Sequence, residues 1–258
     1  MRFVGKKVLV TGACGVFGRW IAAAFAREGA ALCLSDRKAN ALAPTRDTLG
    51  LAPDTLLHAT ELLDLASIDA LAGLVEARWG APDIVVNNAG VYPRGGLLDL
   101  LVEEWDRIMG VNLRAPFLTT RAMARLMIAR GRAGSVVMIS SGAARQMRNG
   151  SVPYCTSKSA LERLAKGFAL ELAPYGIRVN VVEPGFAPGS TVSPLDAAHV
   201  ERMKAGIPLG RTSGPDDAPE AIMYLCSERA SFVTGAVLSV DGGNSIGTYE
   251  PAARAGAG

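Results

Sequence analysis

What the 258-residue chain lacks narrows its function before any motif is considered. It holds only two histidines and four cysteines. Cys14, Cys33, Cys155 and Cys226 lie far apart with no C-x-x-C pair, a spacing that supports neither a metal cage nor a disulfide framework. Four reduced thiols and no metal are expected, and His199, a single histidine, reads as an ordinary lid residue. No apolar run approaches the ~18 to 20 residues of a membrane span. The opening "MRFVGKKVLVTG" has neither the apolar core nor the small-residue cleavage site of a signal peptide, so a cytoplasmic protein with no membrane partner is expected. Charge is nearly balanced, 27 Lys plus Arg against 24 Asp plus Glu. The absence of a block of like charge argues against a nucleic-acid partner. With no internal repeat, low-complexity linker or domain boundary, residues 1–258 read as one domain.

What is present is a rhythm. The short apolar runs "KKVLVTG", "ALCLSD", "TLLHATE", "DIVVNNAG", "GSVVMISS", "IRVNVVEPG" and "AVLSVDGG" alternate with helical periodicity near residues 16–29, 67–79, 102–130, 154–174 and 216–227. This alternation predicts an α/β fold, a Rossmann-type doubly wound parallel sheet of about seven strands with helices on both faces. Residues 185–215, rich in Gly, Pro and Ser, read as a substrate lid, and 248–258 as a C-terminal tail.

Strand, glycine turn and helix follow one another in "VLVTGACGVFGRWIAAAF". Such a turn lets backbone N–H groups approach a pyrophosphate at a positive helix N-terminus, here from Gly12, Gly15, Val16, Phe17 and Gly18. Asp36 ends the second strand 24 positions after Gly12, near the ~20-residue offset at which a carboxylate meets the adenosine ribose hydroxyls. Because that carboxylate repels a 2′-phosphate, NAD is expected over NADP, although the neighbouring Arg37 is able to pair with a 2′-phosphate.

In "MISSGAARQMRNGSVPYCTSKSALERLAKGFALE", Tyr154 and Lys158 are four apart and share one helix face. An ammonium beside a phenol favours the phenolate, so this pairing suits a tyrosine acid-base catalyst and predicts a lowered tyrosine pKa. Cys155, about 100° around the same helix, is expected to pack inward. Cys14, inside the turn, is the better candidate for alkylation.

These motifs, with "NNAG" at 87–90, "GVNLRAPF" at 110–117, "ISS" at 139–141, "YCTSK" at 154–158, "IRVNVVEPG" at 177–185 and "FVTGAVLSVDGG" at 232–243, resemble the short-chain dehydrogenase/reductase family over nearly the whole chain. The resemblance implies an oxidoreductase that moves a hydride between NAD(H) and a secondary alcohol or ketone. It implies a catalytic set of Asn112, Ser141, Tyr154 and Lys158: Tyr154 as acid and base, Ser141 on the substrate oxygen, Lys158 on the nicotinamide ribose, and Asn112 anchoring a water that links Lys158 to solvent. It further implies cofactor contacts from Asp64 and Leu65 to the adenine, from Asn88, Ala89 and Gly90 to the ribose, and from Pro184, Gly185 and Ala187 to the carboxamide. A homodimer or homotetramer built on the two long helices is implied as well. Two alternatives stay open: an NADPH-dependent 3-oxoacyl thioester reductase and a non-catalytic dinucleotide sensor.

The chain departs from the family pattern twice. Gly189 stands where a threonine is common, leaving Ser190 or Thr191 to supply a hydroxyl. The turn reads T-G-x-x-G-x-x-G rather than T-G-x-x-x-G-x-G, with Val16 where a glycine is usual. A shifted turn is therefore expected, with Gly15 taking a positive φ or the close-approach role. On the substrate side, Arg145 and Arg148 are candidates to recognise an acidic group, beside Tyr92, Pro93 and Arg94.

Overall fold

Seven parallel strands form one sheet in a computed structural model that describes residues 1–189 and 196–249. The strands are β1 (Lys7–Thr11), β2 (Ala31–Asp36), β3 (Leu56–Ala59), β4 (Ile84–Asn87), β5 (Gly134–Ile139), β6 (Ile177–Pro184) and β7 (Val237–Val240), in the order β3-β2-β1-β4-β5-β6-β7. Chain order runs outward in both directions from the β1–β4 pair, where Leu9 lies opposite Val85. In open parallel sheets such a reversal leaves a crevice beyond the strand C-termini, and ligands bind there.

Eight helices flank the sheet among the described residues: α1 (Val16–Arg27), α2 (Ala39–Thr48), α3 (Leu65–Trp79), α4 (Val102–Met109), α5 (Ala115–Ala129), α6 (Val152–Leu172), α7 (Ala197–Ala205) and α8 (Asp217–Cys226). The strands read as continuous apolar runs because both faces are covered. Their period of two divides the core. Val8, Val10 and Val86 pack with Phe25 of α1 and Ile222 of α8, whereas Leu9, Val85 and Met138 pack with Leu71 of α3, Met123 of α5 and Leu161 of α6. Each fully buried side chain of this size is worth about 1.5–3 kcal/mol, so the two layers fix the strand register that sets out the crevice.

Two elements differ from the sequence-based expectation. α2 was not anticipated, because Pro44 lies inside it and only Leu42 and Thr45 are buried, leaving a faint apolar stripe. The long helix expected over 102–130 exists, but Gly110–Arg114 is a π-turn that joins α4 to α5. Such turns commonly mark functional sites. Cys14, Cys33, Cys155 and Cys226 are free, as read from their spacing, and Cys155 is fully buried. No metal-ligand cluster and no helix long and apolar enough to cross a membrane occurs among the described residues. Ser190 and Thr191, part of the expected lid, most of the tail and the side chain of His199 lie outside the described residues.

Candidate active site

The glycine turn after β1 is shaped by what presses on it. Gly12 has φ 62°, and a Cβ there would come within 2.7 Å of Ala89 Cα. Only glycine satisfies both constraints. Asn88 locks the approach: its Nδ2 donates to the Thr11 and Gly12 carbonyls at 3.0 Å, while the Asn88 and Ala89 amides donate to Thr11 Oγ1.

The expectation for Gly15 is corrected here. Its φ is −74°, it is the N-cap of α1, and a Cβ would meet nothing nearer than the Gly12 carbonyl oxygen at 3.4 Å. The left-handed residue is Gly12. The close-approach glycine is Gly18, whose Cβ would overlap that carbonyl oxygen and lie 2.7 Å from Ala13 Cα. Gly18 therefore packs α1 onto the turn and does not line the crevice, whereas Gly12, Gly15, Val16 and Phe17 do.

The crevice, ≈ 450 Å³, runs from this turn across the C-terminal ends of β1, β4 and β5. Its residues suit a dinucleotide. α1 opens with amides that no side chain caps, because Gly15 has none to offer, and this leaves an electropositive N-terminus facing the cavity. Asp36 lines the same wall, with Oδ2 accepting from the Cys14 amide and Oδ1 from the Lys38 amide, each at 3.0 Å. A carboxylate has about four lone-pair sites, so room remains for ribose hydroxyls. Arg37, Asn88, Ala89, Gly90, Pro184, Gly185 and Ala187 also line the cavity.

Asp64 and Leu65 do not. Asp64 is the N-cap of α3, accepting from the Ala66 amide at 3.1 Å, and both residues lie outside the crevice. Thr60, Glu61, Leu62 and Leu63 line the wall just before them, because β3 ends at Ala59 and the residues just past a strand C-terminus are those that face the crevice. The signal was available, since "DLAS" is a capping sequence for the following helix. Cys14 lines the cavity half-buried. Burial and then the nearby Asp36 carboxylate push its thiol above the ordinary value, leaving it less nucleophilic than its position suggested.

At the other end, Ser141, Tyr154 and Lys158 converge on the cavity from two segments. Ser141 lies two residues past the end of β5 and caps the short Gly142–Ala144 turn, its Oγ accepting from the Ala143 amide at 3.2 Å. Tyr154 and Lys158 lie one turn apart on α6, which starts at Val152 with Pro153 in its first turn. The Ser141 and Tyr154 side chains line the same end of the cavity. Lys158 Nζ sits 5.8 Å from the centroid of the Tyr154 ring and donates to the Ile139 carbonyl at 2.7 Å.

The electrostatics reverse one expectation. Burial pushes Tyr154 above the ordinary tyrosine value, and the nearby Ser141 hydroxyl and the Arg148 charge only partly oppose it. The anticipated lowering is absent because the desolvation of the phenol itself outweighs the influences that favour the phenolate; burial also pulls the Lys158 ammonium down to about 8.

Asn112, inside the π-turn, is fully buried and does not line the crevice. Its amide is spent on Val91, Oδ1 accepting from the amide and Nδ2 donating to the carbonyl, each at 2.8 Å, with Ser157 Oγ at 3.0 Å. It thereby ties α5 and α6 to the segment that follows Gly90.

A cluster behind this site was not legible in the sequence. Ser140 Oγ donates to Glu162 Oε1 at 2.7 Å, and Glu162 stands one turn beyond Lys158. Glu162 also feels the charge of Glu183, a fully buried carboxylate held by Ser239 and by Arg145 at 2.8 Å. Burial, reinforced by the Glu183 charge, raises Glu162 to about 7. Arg145 is thus committed to Glu183, whereas Arg148 lines the crevice.

Residues 12–245 match a family model described as enoyl-(acyl carrier protein) reductase. The galactitol 2-dehydrogenase of Agrobacterium fabrum is 32% identical over 255 residues, covering 95% of this chain and 99% of its own length. Among solved structures, the 3-ketoacyl-(acyl-carrier-protein) reductase from Brucella melitensis complexed with NADH superposes with a TM-score of 0.85 at 32% identity, covering 94% of this chain and 99% of that one. The gluconate 5-dehydrogenase from Burkholderia cenocepacia in complex with NADP and tartrate superposes with a TM-score of 0.86 at 33% identity, covering 96% and 98%.

Proposed function

The chain belongs to the short-chain dehydrogenase/reductase family, and on that premise we propose that it moves a hydride between NAD(H) and a secondary alcohol or ketone, with Tyr154 as the acid and base. The observation that carries the reading is the convergence of Ser141, Tyr154 and Lys158 at one end of a crevice whose other end is a glycine turn and a carboxylate. A polyol dehydrogenase among the relatives supports the alcohol class.

When bound, the nicotinamide supplies or accepts the hydride. The chain's own residues manage the proton. In reduction, the carbonyl oxygen gains negative charge as its carbon gains the hydride, and the Tyr154 O–H delivers the proton to that oxygen. Because burial keeps Tyr154 protonated at neutral pH, it is ready as an acid. In the alcohol-oxidising direction the same hydroxyl must first lose its proton, so oxidation is favoured at alkaline pH. Ser141 already accepts from the Ala143 amide, which fixes its Oγ and leaves its O–H to stabilise the substrate oxygen. Lys158 places positive charge under the tyrosine and is held by the Ile139 carbonyl. Asn112 acts at one remove by holding Val91 and, through it, the loop beside the nicotinamide end.

NAD is the proposed cofactor because Asp36 occupies the end of β2 and repels a 2′-phosphate. Arg37 and Lys38 beside it make the preference testable. In fluorescence titrations NADH is expected to bind at least about tenfold more tightly than NADPH, and tighter NADPH binding would overturn the role given to Asp36.

A further inference from the structure

Two arginines on the substrate side of the crevice have no acidic partner. Arg107 is paired with Glu104 at 2.7 Å and Arg145 with Glu183 at 2.8 Å. Arg148 and Arg94 line the same cavity as Ser141 and Tyr154, yet neither is in an ion pair or side-chain hydrogen bond among the described residues. Arg148 is half-buried, in a setting where water only partly solvates its guanidinium.

The two are held on one rim. The Gly95 amide donates to the Gly150 carbonyl at 2.9 Å, joining the loop that carries Arg94 to the loop that carries Arg148. Gln146 Nε2 donates to the Ser245 carbonyl at 3.0 Å, and the Ser151 amide closes a turn on the Arg148 carbonyl at 3.0 Å. The Arg148 backbone is therefore fixed before any ligand arrives, which lowers the ordering cost of recognition. Arg148 and Tyr154 line one space.

We propose that the substrate bears an oxyanion, a carboxylate or phosphate, within a few atoms of its reacting carbon, and that Arg148, assisted by Arg94, binds it. This rests on the hydride-transfer reading of the site and names its substrate class. A guanidinium presents donors in a planar fork that matches an oxyanion's two oxygens, and a neutral polyol leaves that fork without a partner. The site therefore selects hydroxy or keto acids, or sugar phosphates, over their neutral analogues.

The test has a turnover arm and a binding arm. In the first, NAD-linked oxidation of four- to six-carbon hydroxy acids is compared with that of the matching alditols, gluconate against sorbitol being one such pair, and with 6-phosphogluconate. The anions are expected to show at least about tenfold higher kcat/KM, an advantage that disappears in Arg148→Gln through KM and shrinks in Arg94→Gln. In the second, tartrate or inorganic phosphate is titrated against the NADH-saturated protein, so that the cofactor's own phosphate site is filled. Half-saturation is expected at about tenfold or more higher concentration in Arg148→Gln, and the tighter of the two probes identifies the oxyanion. Equal or better turnover of the neutral alditol, or anion binding unchanged in both variants, overturns the proposal. Anion binding that is lost in Arg148→Gln while no alcohol is oxidised instead overturns the hydride-transfer reading and leaves the anion site standing.

Discussion

Replacing Lys158 with methionine is expected to abolish turnover and yet to raise, or leave unchanged, the stability of the cofactor-free protein at pH 7. The ammonium is buried at 4% exposure, and its pKa falls from the ordinary 10.5 to about 8. A shift of that size means the charged form is disfavoured in the fold by about 3 kcal/mol relative to the unfolded chain at pH 7. Methionine removes that penalty while filling similar space. The substitution also leaves the Ile139 carbonyl without its 2.7 Å donor, which costs about 1–3 kcal/mol and does not depend on pH. The pH dependence isolates the charge. Between pH 8 and 10.5 the folded wild type binds fewer protons than the unfolded chain, so its stability rises with pH across that window. The variant has no such group. Urea denaturation of both proteins at pH 7 and pH 10 should therefore show the variant's relative stability falling by about 2–3 kcal/mol between the two. A difference that stays constant with pH would refute the buried-ammonium reasoning.

Three further outcomes follow from the same geometry. Gly15→Ala should fold and bind NADH within a few-fold of wild type, because φ is ordinary and the added Cβ makes only a van der Waals contact with the Gly12 carbonyl, whereas Gly18→Ala, whose Cβ overlaps that carbonyl, should cut NADH affinity and lower Tm. Comparable losses in both would restore Gly15 to the tighter role. Glu162→Gln keeps the Ser140 hydrogen bond but removes one of two adjacent carboxylates. The folded wild type holds a proton on Glu162 from the usual carboxylate range up to about 7, so its stability falls as pH rises through that window. The variant should accordingly match wild type near pH 5 and exceed it in Tm near pH 8, and a pH-independent offset would count against the shared proton. Asn112→Ala should raise the KM for NADH more than it lowers kcat, by loosening Val91, and an unchanged KM would contradict that route.

The parts of the site that were legible in the sequence are local. Tyr154 and Lys158 share a face because helix geometry dictates it, and Ser141 and Gly12 sit at strand ends that alternating apolar runs make visible. What was missed depends on contacts far apart in sequence. Glu61, Leu62 and Leu63 line the crevice and Asp64 does not, because β3 stops at Ala59, opposite Asp36 of β2, and that register is set by sheet pairing. The turn's positive φ belongs to Gly12 because Ala89, 77 residues away, presses on it. The Arg145–Glu183–Glu162–Ser140 chain draws on four segments, so no window of sequence displays it. The raised tyrosine pKa followed from the same limit, since the Tyr154–Lys158 spacing showed the pairing but not how strongly the surrounding protein desolvates both groups.

The central claim is that Tyr154 moves the proton that accompanies hydride transfer. It is tested most directly by following NADH formation at 340 nm with a turned-over alcohol or hydroxy acid in wild type and Tyr154→Phe, alongside NADH binding to each. The account predicts a loss in kcat of about a hundredfold or more with NADH affinity kept within a few-fold. Turnover in Tyr154→Phe comparable to wild type would contradict it.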